Sequence, residues 1–389
     1  MEFTYSREQQ MVKKMIKEFA ETEIAPIAEE CDAEAKYPYE TIAKLGDLGV
    51  MGMPFPEEYG GAGSDYMTYI MAVEELSKVD GSHGVIVQTH NALCCWPIYT
   101  YGTEEQKRKY LPDLLSGKKL GAFGLTEPNA GTDAAMQQTT AKYDPETNEY
   151  VLNGTKIFIS GGGIAEVYVI MAMTDKSKGN KGISSFILEK GDPGFSFGKK
   201  ENKMGIRASI ARELVFEDCR IPADRLLGEL GKGFKTAMSS LDVGRLGIAA
   251  QALGIGQGAF DQTVEYMKQR KQFGKTLNKF QYLAFEMATM KTKLDGARFL
   301  LYNACDIRNR AEAGDRDAQA QLSPAAAQAK LACSEAASFV VDKAVQFHGG
   351  YGYIKDYPVE RMYRDQKITE IYEGTSEVMR MVISGNIFK

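Results

Sequence analysis

The chain has 389 residues, of which 44% are apolar and 25% charged, and its formal net charge is −5. That balance describes a folded globular protein of two or three domains and excludes disordered, collagen-like and disulfide-scaffold chains. Both charge signs are mixed along the sequence and no apolar run is long enough to span a bilayer, so neither nucleic acid nor membrane is an expected partner.

The opening MEFTYSREQQMVKKM has neither a secretory nor a transit pattern, and the expectation is a cytoplasmic protein of bacterial type. Ser6-x-x-Gln9 has the form of a capping box, after which Met11, Met15, Ile16 and Phe19 share one face. That spacing predicts an amphipathic helix to about Glu30. The same period runs through YPYETIAKLGDLGV, DYMTYIMAVEELSKV, VIVQTHNALCCWPIYTYG and TEEQKRKYLPDLLSG, punctuated by PFPEEYGGAGS and DGSHG. Near Leu120 the texture changes to short β-rich runs, YVLNGTKIFIS, EVYVIMAMT, GISSFILEKG and RELVFEDCRIP. From about Gly231 the helical period returns in segments long enough to build a bundle. The predicted organisation is an N-terminal helical domain over 1–120, a middle β domain over 121–230 and a C-terminal helical bundle over 231–389.

Several apparent signals dissolve on inspection. GIGQGA, Gly254 to Ala259, lacks the preceding strand of a dinucleotide fingerprint and reads instead as close helix packing. None of His83, His90 and His348 follows a glutamate by three positions, and Asp80 with His83 fits a turn and a helix cap, so no metal is expected. Cys31, Cys94, Cys95, Cys219, Cys305 and Cys333 have no CxxC spacing and read as core thiols of a reducing compartment. No G-x-S-x-G elbow is present.

Five stretches carry chemistry. GLTEPNAGTD ends a strand in a loop of hydroxyls and exposed amides suited to a flat polar heterocycle. NGTKIFIS ends another strand, and period two puts Phe158 and Ser160 on one face. RKQFGK offers Arg270 and Lys271 for phosphate oxygens, and FHGGYGY ends a helix on glycines that allow close approach. IYEGTSEV sets Glu373 between a ring and a glycine just before a helix; taken alone, such an acid is a solvated charge favouring the helix dipole.

In this order and spacing the five stretches resemble the flavin-dependent acyl-CoA dehydrogenases along essentially the whole chain, nearest the bacterial short-chain type that acts on butyryl-CoA. The resemblance implies a mainly α fold with a central β-barrel-like domain and a C-terminal four-helix bundle. It further implies a homotetramer with one FAD per subunit, an acyl-CoA or enoyl-CoA substrate, and an electron-transferring flavoprotein as redox partner. Carried over by position, Phe123, Leu125, Thr126, Phe158 and Ser160 would lie along the flavin ring. Gly131 and Thr132 would touch the cofactor too, Thr132 also reaching the CoA chain. Arg270, Phe273 and Gln281, with Gln346, Gly349 and Gly350, would reach the ADP half of a neighbouring subunit's FAD. Thr375 and Glu377 fall where a helix start contacts the cofactor. Leu241, Asp242 and Arg245 match residues lining the CoA tunnel, and Tyr372 and Gly374 flank the substrate.

In the same resemblance Glu373 is the base that removes the Cα proton, opposite a hydride acceptor at Cβ. Its own N–H and a flavin ribityl hydroxyl would receive the thioester oxygen. Desolvation should raise its pKa toward neutrality. Some family members carry their base where this chain has Gly244, and glycine cannot abstract a proton. Gln272 departs from the hydroxyl residue that relatives often have beside the phosphates. The reverse reduction of an enoyl-CoA would use the same residues; a non-catalytic flavin-binding scaffold is the alternative.

Overall fold

A computed structural model describes residues 5–388; the first four residues and the last, which belong to the expected terminal domains, lie outside it. Seven helices come first: α1 (Arg7–Phe19), α2 (Ala25–Ala33), α3 (Tyr39–Asp47), α4 (Tyr66–Val79), α5 (Gly81–Thr89), α6 (Trp96–Tyr101) and α7 (Glu104–Leu115). The capping box at Ser6 and Gln9 starts α1, with Gln9 N–H donating to Ser6 Oγ at 3.1 Å. The single helix expected to about Glu30 is instead α1, a π turn over Ala20–Ile24, and α2. Pro26 stands at the head of α2 without an N–H to give, and the widened turn absorbs that gap in the ladder. A second π turn, His90–Cys95, joins α5 to α6 and buries both neighbouring cysteines.

Eight strands follow: β1 (Gly121–Gly124), β2 (Thr140–Asp144), β3 (Glu149–Ser160), β4 (Val167–Met173), β5 (Ile183–Glu189), β6 (Phe195–Lys200), β7 (Ala211–Pro222) and β8 (Leu226–Leu227). They form one mixed sheet in the order β6-β7-β3-β2-β4-β5-β8, with β1 parallel to β4. β4 is buried along its whole length because both of its faces are covered, which is why it reads as an unbroken apolar run.

The chain returns to helices with α8 (Gly233–Gln269), α9 (Gln281–Glu312), α10 (Arg316–His348), α11 (Val359–Lys367) and α12 (Ser376–Ile387). α10 packs along both α8 and α9, and α4 lies against α8, so one apolar core runs from the first helices into the bundle. Glycines make that approach possible. A Cβ on Gly254 would lie 2.4 Å from Glu74 O, and one on Gly258 would lie 2.1 Å from Lys78 O. The GIGQGA stretch is therefore the seam between α8 and α4. Among the described residues no helix is long and apolar enough to cross a membrane.

Because the obstacle at Gly258 is backbone rather than a movable side chain, Gly258→Ala should cost roughly 1–3 kcal/mol of stability by forcing α4 and α8 apart. Urea unfolding of the two proteins measures it, and an unchanged midpoint would contradict the seam.

Candidate active site

The turn between α11 and α12 places Glu373. Thr375 caps α12, accepting the Val378 N–H at 3.3 Å, and the two residues before it adopt left-handed backbone, φ +53° at Glu373 and φ +101° at Gly374. Such a conformation costs a non-glycine residue about 1–3 kcal/mol and persists only when its surroundings fix it. Two cations do so. Arg245 Nε of α8 donates to Glu373 O at 3.2 Å, and Lys330 Nζ of α10 donates to Gly374 O.

The carboxylate turns inward against α8. Gln88 Nε2 donates to Glu373 Oε1 at 3.0 Å and to Gly244 O at 2.9 Å. Although the residue as a whole is only partly covered, Oε2 is shut off from solvent and has no partner among the described residues. A Cβ on Gly244 would lie 2.2 Å from Oε2, and a Cβ on Gly247 would lie 2.1 Å from Gln88 Cγ. Gly244 thus leaves the space that the Glu373 carboxylate occupies. Burial pushes the Glu373 carboxyl up to about 7, against the opposing pull of the Gln88 hydrogen bond, Lys330 and Arg245. Tyr372 packs against Val85, Ile206 and Ile248, its hydroxyl donating to Gln251 Oε1. Beside it, Arg245 pairs with Asp242 at 2.7 Å, and burial raises the Asp242 carboxyl.

A second group gathers at the sheet. Ile157 N–H donates to Thr126 O at 2.9 Å, joining the loop after β1 to β3. Beneath that loop the buried Lys156 ammonium reaches Glu127 Oε1 at 2.7 Å, Gln137 Oε1 at 2.9 Å and Leu125 O at 3.1 Å. Leu125, Phe123 and Leu241 belong to one apolar cluster, which brings this loop to the start of α8. The simple alternation expected for Phe158 and Ser160 does not hold. The pairing of β3 with β7 shifts between Lys156 and Ile159, and Phe158 adopts φ +58° in a bulge that leaves the residue 64% exposed. Ser160 pairs with Ala211 just beyond it. Gly131 and Thr132 sit on an exposed turn, with open space around Gly131.

The third group is remote. Arg270 ends α8, its guanidinium 5.3 Å from the ring centre of Tyr351, next to the glycine cap at Gly349 and Gly350. Phe273 is 93% exposed and edges onto Phe280, while Gln281 and Gln346 are exposed on α9 and α10. Gly244 and Arg270 are 26 positions apart, about 39 Å along a helix rising 1.5 Å per residue. The fold therefore does not bring this group to the Glu373 pocket of its own chain. Glu377, exposed in the first turn of α12, is held below the usual carboxylate range by its own backbone N–H and by Thr375.

Sequence reasoning missed Gln88, Gln251 and Lys330. Each interrupts an otherwise apolar helical stretch, VIVQTHNAL, GIAAQALG and AAAQAKLAC, and a polar residue on a buried face is the signal that could have found them.

Comparison with known proteins gives three family models in chain order. They are the Acyl-CoA dehydrogenase N-terminal domain over residues 6–118, the middle domain over 122–219 and the C-terminal domain over 231–388. The short-chain specific acyl-CoA dehydrogenase of Clostridium acetobutylicum is 56% identical over 389 residues, covering 100% of both chains. The solved butyryl-CoA dehydrogenase from Megasphaera elsdenii superimposes with a TM-score of 0.96 at 50% identity, again covering 100% of both chains. A chain solved in work on the electron transferring flavoprotein of Acidaminococcus fermentans, and on flavin-based electron bifurcation, matches with a TM-score of 0.96, 53% identity and full coverage of both.

An acid whose folded pKa is about 7 and whose ordinary value is 4.5 binds more protons folded than unfolded between those limits, so its contribution to stability is lost as pH rises through 7. Glu373→Gln keeps an oxygen for Gln88 and removes the ionisation. Its melting temperature should gain on that of the wild type progressively from pH 4.5 to 7 and hold that gain above. Thermal melts across pH check this, and a gap independent of pH would contradict the burial.

Proposed function

This chain belongs to the acyl-CoA dehydrogenase family, and we propose that it converts a short-chain acyl-CoA thioester to the trans-2-enoyl-CoA, with Glu373 as the base at Cα. The observation that carries the reading is the Glu373 carboxylate: Oε2 is dry and unpartnered, Oε1 is held by Gln88, and the group is poised near neutral pH. A base of that kind accepts a weakly acidic proton far better than a solvated carboxylate, a contribution of roughly a hundred- to ten-thousand-fold.

The residues present fit FAD. The exposed Phe158 ring at a bulge next to the Thr126 loop suits a flat isoalloxazine, and the open backbone at Gly131 leaves room for its approach. Open space around Gly349 and Gly350, with Arg270 beside them, suits a diphosphate. When bound, FAD supplies the acceptor for the hydrogen that leaves Cβ with its electron pair. Phe123, Leu125, Thr126, Phe158 and Ser160 would hold its ring portion. Arg270, Phe273, Gln281, Gln346, Gly349 and Gly350 would hold the ADP portion of a neighbouring subunit's FAD, since Arg270 and the glycine turn beside it stand at the far end of α8 from the Glu373 pocket; that reading needs an oligomer, and the family resemblance makes it a homotetramer.

The protein's own work is then orientation and proton transfer. Asp242 and Arg245 at the start of α8, with Leu241, border the entry for the CoA chain. Tyr372 excludes water from the reacting carbons, and Gly374 lets the chain pass close to the backbone. The Glu373 N–H is a donor for the thioester oxygen as the Cα proton goes to Oε2. Electrons leave through an electron-transferring flavoprotein in the cytoplasm, a partner suggested by the Acidaminococcus fermentans match.

Butyryl-CoA should bleach the flavin of the wild-type protein and leave that of Glu373→Gln unbleached, with CoA-ester binding retained. For the wild type, kcat/KM should rise with pH through about 7 as the base ionises. Undiminished bleaching in the variant would reject the assignment.

A further inference from the structure

Beyond its hydrogen bond to the Gly374 carbonyl, Lys330 takes no part in the chemistry described so far, yet its side chain is fully buried in the middle of α10. A buried ammonium is unfavourable unless something specific compensates it, and an apolar residue would fill the same space without that penalty. Its compensation is unusual. Among the described residues no carboxylate lies within ion-pair reach of Nζ, whose hydrogen bond goes to a backbone carbonyl, that of Gly374. Gly374 directly follows Glu373, and its own φ of +101° continues the left-handed turn.

We propose that Lys330 is a positioning residue for the Glu373 base: gripping the Gly374 carbonyl from α10, it holds the turn in the one geometry that tucks the carboxylate beneath Gly244. The proposal rests on the reading of Glu373 as the base. Arg245 grips the preceding carbonyl from α8, so the two peptide planes after Glu373 are fixed by cations on two different helices. Neither grip substitutes for the other, because each holds a different carbonyl of the turn. Releasing the Gly374 plane frees the strained φ of Glu373 to relax, and the Oε1 contact with Gln88 depends on that φ.

Lys330 acts on the base by charge as well as by geometry. The groups facing this corner are Arg245, itself paired to Asp242 on α8, Glu370 and Glu377 flanking the turn, Tyr66 and Tyr69 on α4, and Tyr372. Burial pulls the Lys330 ammonium down to about 8, while Glu373 holds it up, so it is protonated at neutral pH and favours the ionised carboxylate.

The test uses Lys330→Met, which removes donor and charge, Lys330→Gln, which keeps a donor without the charge, and Lys330→Arg, which keeps both. Two readouts apply. One is the pH midpoint of kcat/KM for butyryl-CoA; the other, independent of turnover, is the pH at which the melting-temperature gap between each variant and its Glu373→Gln double mutant reaches its plateau. Both midpoints should rise by about one pH unit in K330M and K330Q. In K330M, kcat at pH 7 should fall at least about tenfold with little change in KM, and K330R should recover most of the loss. The Met and Gln variants keep the test alive if either fails to fold. An unshifted midpoint in a folded neutral variant, or no recovery in K330R, overturns the proposal. If E373Q itself turned butyryl-CoA over normally, the base assignment would fall; an inactive E373Q beside an unshifted K330M would overturn only the role of Lys330.

Discussion

A carboxylate is buried here against a helix that has no side chain at the point of contact. The rest of the pocket follows from that. Gly244 leaves the volume that Glu373 Oε2 fills, and Gly247, one turn on, leaves the volume for the Gln88 side chain that holds Oε1. Gln88 also donates to the Gly244 carbonyl, so a single amide ties α5, α8 and the 373–374 turn together. Farther along α8 the same device reappears, with Gly254 and Gly258 admitting the backbone of α4. One helix thus sets both the packing of the bundle and the depth of the pocket.

Two buried acids in this chain show what decides their charge. Burial pushes Glu127 upward, but its direct ion pair with Lys156 and the N–H groups of Gln138 and Thr139 outweigh that, and it is held below the usual carboxylate range. Glu373 has two cations nearby, but Lys330 is turned to a backbone carbonyl, Arg245 to another and to Asp242, and its own oxygen receives only a neutral amide. Burial therefore wins, and the group sits near neutrality. Glu127 is a structural anchor for the loop above it, whereas Glu373 remains free to exchange a proton. What differs is where the neighbouring cations are aimed.

Much of this was legible in the sequence, and the rest was hidden for identifiable reasons. Helical period and β texture located the long helices and the sheet, because each buries an apolar face, the helices in one core and the sheet in two others. The capping box at Ser6 and the tight seam at GIGQGA followed from local chemistry alone. The π turn at 20–24 did not, since nothing in the apolar period marks one extra residue per turn. Nor did the bulge at Phe158, which depends on how β3 meets β7 and not on its own residues. Glu373 stood out only through the company of other motifs, and Gln88 and Lys330 stayed silent because they come from helices 285 and 43 positions away in the chain. Their importance is a property of the fold, visible only once α5, α10 and the turn are brought to one corner.

The fold holds Glu373 as a dry acid that ionises near neutral pH before any substrate arrives. The most direct measurement is the titration of that one carboxyl in the ligand-free protein, from isotope-edited infrared spectra of carbon-13 glutamate-labelled wild type with the Glu373→Gln spectrum subtracted. A carbonyl band should disappear with a midpoint near pH 7. A midpoint at or below the ordinary glutamate value of 4.5 would contradict it.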